Sequence, residues 1–193
     1  VVNDYPYGTY SGPENEYYFF NRDKYLQVTS FKNGNSKKPN CYKDNISAFL
    51  KNYNDAEHKE KYQDIANQTN LPVMLIAAIH HREYGGDLNY SMTDGSEIGK
   101  SNFVADAVKT IKSGQWRDLQ NAIGMGKGTR NLLAMLQFAE LWNGKGYANA
   151  GRVSAYLYAG TNIYTKGKYL NSGWSPNFED SQAGVLCLLS QVY

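Results

Sequence analysis

The sequence predicts a mainly α-helical domain with one small irregular or β element. Three observations carry that expectation. Beyond residue 40, apolar residues recur at helical spacing through most of the chain. Capping and breaking residues punctuate those segments, and one polar, turn-forming stretch, 87–101, interrupts them.

Residues 1–40, rich in Tyr, Asn, Lys and Gly, have little helical period and read as an irregular arm laid over a domain of residues 41–193. Within that domain Ile46, Phe49 and Leu50 share a helical face, with Asp44 placed to cap it. Asp55 occupies a capping position before a second segment that ends near Asn70. Pro72 suits the first turn of a third helix, which runs to about Glu83 and stops before Gly85-Gly86. Residues 87–101 form a hairpin or a long loop. "NFVADAVKTIKSG", "QWRDLQNAI" and "GTRNLLAMLQFAELWNG" are helical by spacing, and "EDSQAGVLCLLSQVY" reads as a buried last helix. No internal repeat or linker divides the chain.

The 193 residues suit one domain, and a hydrophobic content of 41% supports a packed core. A formal charge of +2 is too mild to single out a polyanion, so no nucleic-acid partner is expected. No apolar run reaches the ~18 residues of a membrane span. The chain starts at Val1 rather than Met, and the expectation is a secreted monomer whose leader has been removed. Cys41 and Cys187 lie outside any CxxC spacing, which argues against a redox motif or a zinc site. A disulfide between them would fit an exported protein and is the expectation over two reduced, buried thiols.

The chemistry gathers at the end of the third helix, "LPVMLIAAIHHREYGG". Ile76, Ile79, His80 and Glu83 fall near one helical face. A carboxyl beside aliphatic side chains is desolvated, which raises its pKa and suits it to donate a proton near neutral pH. The negative end of the helix dipole pushes the same way. Arg82, about 100° round the helix, is expected to point to another side. His80 and His81 read as packing or orienting groups. Only His58 remains as a third imidazole and HExxH is absent, so neither a metal nor another cofactor is expected. The bland alternative is a solvated glutamate at a helix end.

"IHHRE" followed by "MTDGSEIG" resembles the catalytic helix and loop of bacterial and phage lysozyme-like muramidases. "ELWNGKGYANAGRVSAYLYAGTNIYTKGKY" followed by "SPNFEDSQAG" is similar to a second signature of that family, and the likeness covers about residues 71–190. It implies an α-helical lysozyme-like fold and cleavage of the glycan strands of bacterial peptidoglycan, with Glu83 as the catalytic acid. Glycoside hydrolysis usually employs a second carboxylate, about 5–5.5 Å away for retention and about 6.5–9.5 Å for inversion. Asp87, Asp94 and Glu97 are the candidates, and no pattern decides among them. Residues 156–169 would form one wall of a sugar cleft: Tyr158, Tyr164 and Tyr169 supply rings, and Thr161, Asn162 and Lys166 supply hydrogen bonds. Alternatively, Tyr156 and Leu157 pack inward and "TKGK" is a tight turn.

Asp94 and Glu97 stand where the family pattern has Asn and Pro. These acidic departures resemble specialised lysozymes of predatory bacteria and imply a preference for N-deacetylated peptidoglycan, whose ammonium a carboxylate would attract. Two rival readings stand. A lytic transglycosylase also uses a lone Glu, although such enzymes commonly carry Ser after it, where this chain has Tyr84. A non-catalytic wall-binding module could retain the same fold.

Overall fold

The computed structural model describes residues 14–193; the first 13 residues of the expected arm lie outside that range. Ten helices and one two-stranded sheet build a mainly helical fold. In chain order they are α1 (Glu14–Leu26), α2 (Cys41–Asn54), α3 (Ala56–Thr69), α4 (Val73–Tyr84), α5 (Phe103–Ile111), α6 (Gly114–Ala122), α7 (Leu132–Trp142), α8 (Gly146–Asn149), α9 (Ala155–Tyr158), β1 (Lys168–Leu170), β2 (Gly173–Ser175) and α10 (Val185–Leu189).

The centre is α4. Every residue from Met74 to Arg82 is buried, because α2, α3, α7 and α10 pack around it. A helix apolar on all sides can only be an interior one. Gly85 ends it in the left-handed region, at φ 63°, and its amide reaches back to the His80 and His81 carbonyls. A side chain there would be strained, which is why glycine follows the helix. Two side chains then pin the turn: Asn52 Nδ2 donates to Gly85 O at 2.9 Å, and His58 Nε2 lies 2.8 Å from Gly86 O.

Local chemistry sets the other helices much as their sequences suggest. Asp55 caps α3 by accepting from the His58 amide, and Asn70 closes it at φ 59°. Asn131 caps α7, whose residues Leu133–Leu141 are all buried. Helix α2 begins earlier than expected, at Cys41, so Asp44 sits in its first turn rather than at the cap.

Three expectations change. The supposed irregular arm holds α1, which packs along α7. Its helical character comes from that contact, with Asn21 fully buried and its carbonyl taking the Tyr158 hydroxyl at 3.0 Å. The β element lies at β1–β2, where Tyr169 pairs with Trp174, and not after Glu83. Residues 87–101 instead form turns with a single isolated bridge, Tyr90 to Glu97.

The cysteines are the third. No disulfide joins Cys41 to Cys187; both are free thiols. Cys187 faces the core from α10 and donates to Ala159 O at 3.2 Å. Gly160, at φ 89°, leaves room for it, since a Cβ there would lie 2.9 Å from the sulfur. Burial pushes the Cys187 thiol up to about 12, so it stays protonated and inert. Alkylation under denaturing, non-reducing conditions should therefore add two adducts by intact mass, whereas the native protein should shield Cys187. An unlabelled denatured chain would mean that the thiols are paired.

Candidate active site

Glu83 occupies the last turn of α4 and is half-buried on the wall of a cavity of about 410 Å³. The surrounding wall comes from segments far apart in the chain: Asn143 to Tyr147 before and within α8, Tyr156 from α9, Lys168 and Tyr169 from β1, and Gln182. Tyr156 donates its hydroxyl hydrogen to Glu83 Oε1 at 2.8 Å. Burial raises the Glu83 pKa above the ordinary carboxylate range; the Tyr156 hydrogen bond and the charges of Arg82 and Lys168 hold the rise in check.

Arg82 does not point away from this site. It lines the same cavity, with its guanidinium 5.3 Å from the centre of the Tyr156 ring. Its Nη2 pairs with Asp180 Oδ2 and its Nη1 donates to Gln182 O at 3.1 Å. Lys168 Nζ joins the same carboxylate at 2.9 Å. Burial works against the Asp180 charge, but Arg82 and Lys168 outweigh it and hold the carboxyl below its usual range. The Asp180 backbone is anchored too: Tyr42 donates to its carbonyl at 2.8 Å and its amide donates to the Tyr164 hydroxyl at 3.0 Å.

An aromatic shelf borders the cavity. Tyr169 is 37% exposed, with Tyr147 edge-on and Trp174 beside it, both at 5.1 Å between centroids. Arg152 lies 4.0 Å over the Trp174 ring and donates to the Tyr169 hydroxyl at 2.6 Å, which steadies both rings.

The expected second carboxylates are elsewhere. Asp87 accepts from the Asn89 amide and side chain at 3.0 and 2.8 Å, which stabilises its own turn. Asp94 does the same with Ser96 at 2.9 and 2.7 Å, and Glu97 is exposed. None of the three lines the cavity; Glu83 is the sole carboxyl among the described residues that do.

Of the six expected sugar contacts, Tyr169 alone reaches the cavity wall. Tyr158 and Thr161 are fully buried, and Tyr164 braces Asp180. Asn162 Oδ1 accepts from the Thr29 and Ser30 amides, tying down the segment after α1, and Lys166 bonds Asn177 at 2.9 Å. Inward packing thus describes most of 156–169. The histidines are structural. His80 Nδ1 lies 3.0 Å from the Tyr62 hydroxyl and Nε2 lies 3.1 Å from Asp87 O, while burial lowers the pKa values of both His80 and His81 to about 4.

Sequence reasoning missed Tyr156, Lys168 and Asp180 as site residues. The available signal was the clustering of "NGKGY", "YTKGKY" and "EDSQAG", whose blocks converge on Glu83. The ion pair at their meeting point makes a measurable demand on the fold. Asp180→Asn would leave the buried Arg82 without its full counter-charge, so urea unfolding should show a loss of about 3–5 kcal/mol. A loss within a few tenths would mean that the pair is dispensable.

Compared with known proteins, the chain matches no family model, no curated protein and no solved structure.

Proposed function

We propose that this chain is a glycoside hydrolase of the lysozyme-like muramidase type, cleaving the glycan strands of bacterial peptidoglycan with Glu83 as general acid. One observation carries the reading. The three sequence blocks that resemble the muramidase signature, far apart in the chain, line one cavity around a single desolvated carboxyl.

In this mechanism Tyr156 occupies Glu83 Oε1 as a hydrogen-bond donor, so the transferable proton resides on Oε2. A glycosidic oxygen within hydrogen-bond reach takes that proton as the bond to the anomeric carbon breaks. The resulting carboxylate is stabilised by the Tyr156 hydroxyl and by the nearby positive charges of Arg82 and Lys168. It can then accept a proton from the attacking water, which returns the site to its starting state. Tyr169, Trp174 and Tyr147 supply flat faces for pyranose rings. Action on peptidoglycan places the chain in an extracellular or periplasmic setting.

The lone lining carboxyl also favours a second reading, a lytic transglycosylase, in which the sugar's own hydroxyl replaces water and closes an anhydro ring. Product mass separates the two, because the anhydro product is one water lighter. A preference for N-deacetylated strands draws no support from Asp94 and Glu97, which do not line the cavity.

Glu83→Gln keeps the shape of the side chain and removes its proton. Muropeptide release should fall by about 10²-fold or more with the circular dichroism unchanged. Equal release by variant and parent would remove Glu83 from the chemistry and favour a non-catalytic wall-binding module. The alkaline limb of the parent's pH–rate profile should lie above the ordinary glutamate value of 4.5, since activity needs the protonated form. Tyr156 favours the carboxylate, so Tyr156→Phe should move that limb to higher pH. A limb that stays in place would uncouple Tyr156 from the acid.

A further inference from the structure

The charge inside the cavity is unusual for a site that would bind neutral sugars. Arg82, Lys145 and Lys168 all line it, against Glu83 alone. Asp180 lies behind the wall with its side chain 2% exposed and cancels one of those cations through its two ion pairs. Two positive charges are left while Glu83 is protonated, and one when it is ionised. The Lys168 ammonium carries three hydrogens and Asp180 takes one of them at 2.9 Å. Its side chain is 24% exposed, so it is held in place and only partly hydrated. Arg82 is nearly buried, and its Nε–H finds no acceptor among the described residues. Arg152 adds a further cation on the adjoining shelf.

We propose that this cavity contains an anion subsite, in which Lys168, assisted by Lys145 and backed by Arg82, binds a carboxylate carried by the glycan strand. The proposal rests on the peptidoglycan reading and names the group that the site reads on that substrate. A fixed, partly desolvated ammonium gains most from an ionised acceptor, because a charge-assisted hydrogen bond is about twice as strong as a neutral one. A neutral N-acetyl group would leave the positive surplus uncompensated, and the ammonium of a deacetylated sugar would be repelled by it. Peptidoglycan offers carboxylates of one chemistry from two sources, the lactyl ether of the sugar and the peptide stem.

Occupancy would also act on the acid. Glu83 is faced by Arg82 on its own helix, Lys168 from the hairpin and the Tyr156 hydroxyl from α9, with Lys145 on the same cavity wall. A bound carboxylate would neutralise the two cations that favour Glu83 ionisation, and the acid would keep its proton to higher pH in the complex than in the free enzyme.

Four substrates test this with the full chain. They are strands that keep their stems, amidase-treated strands with free lactyl carboxylates, and each of these after its carboxyls have been methylamidated. Methylamidation should lower kcat/KM by about 10-fold or more for the carboxylate source the site reads, and the unaffected pair identifies the other source. Lys168→Met should abolish that discrimination, and Lys168→Arg should keep it. If Lys168→Met fails to fold, Lys145→Met should reduce the discrimination instead. On the carboxylate-bearing strand, the alkaline limb of kcat should lie above that of kcat/KM. Equal kcat/KM for treated and untreated strands of both kinds would overturn the subsite and leave the hydrolase reading intact. So would discrimination that survives loss of either lysine. A parent that cleaves none of the four would overturn the hydrolase reading, and binding of the four strands by Glu83→Gln would then decide the subsite by the same comparison.

Discussion

The Arg82–Asp180 ion pair is the constraint on which the site depends. It joins the last turn of the central helix to the segment before α10, and Lys168 adds the hairpin to the same carboxylate. Three parts of the chain that share no local contact thereby meet at one buried charge. Their common boundary is the cavity wall. Burying these ions is costly, and the cost is offset only because Asp180 has two cationic partners and a backbone anchored by Tyr42 and Tyr164.

That arrangement also sets the electrostatics next door. Glu83 is placed by burial on the side of protonation, and Tyr156, Arg82 and Lys168 draw it back toward ionisation. A carboxyl under opposing influences of this kind can give up a proton and also tolerate the charge that remains. Since Arg82 is already engaged by Asp180, its hold on Glu83 is moderated rather than complete. A direct Arg82–Glu83 pair would have locked the carboxylate and ended its use as an acid. The neighbour in sequence is kept from becoming the partner in space.

Much of the framework was legible because its causes are local. Asp55, Asn70, Pro72 and Gly85 act within a turn of their own positions, and their residue types announce what they do. The choice of Glu83 likewise followed from spacing on one helix. Helix α1 was not legible, since its polar, tyrosine-rich sequence becomes helical against α7. Tyr158 and Tyr164 were misread for a related reason: a motif fixes that a tyrosine is present and says nothing about whether it faces sugar or core.

By itself, then, the sequence determined a mainly helical chain, the end of its central helix and a glutamate poised there beside apolar neighbours. Those properties depend on residues within a few positions of one another. Only the tertiary structure decided which groups answer that glutamate. Tyr156 lies 73 residues from Glu83, and Asp180 lies 98 from Arg82. Partners so distant are chosen by how whole helices and a hairpin pack, and no spacing rule along the chain encodes that choice. The same packing turned Asp87, Asp94 and Glu97 away from the cavity and left it with a surplus of positive charge.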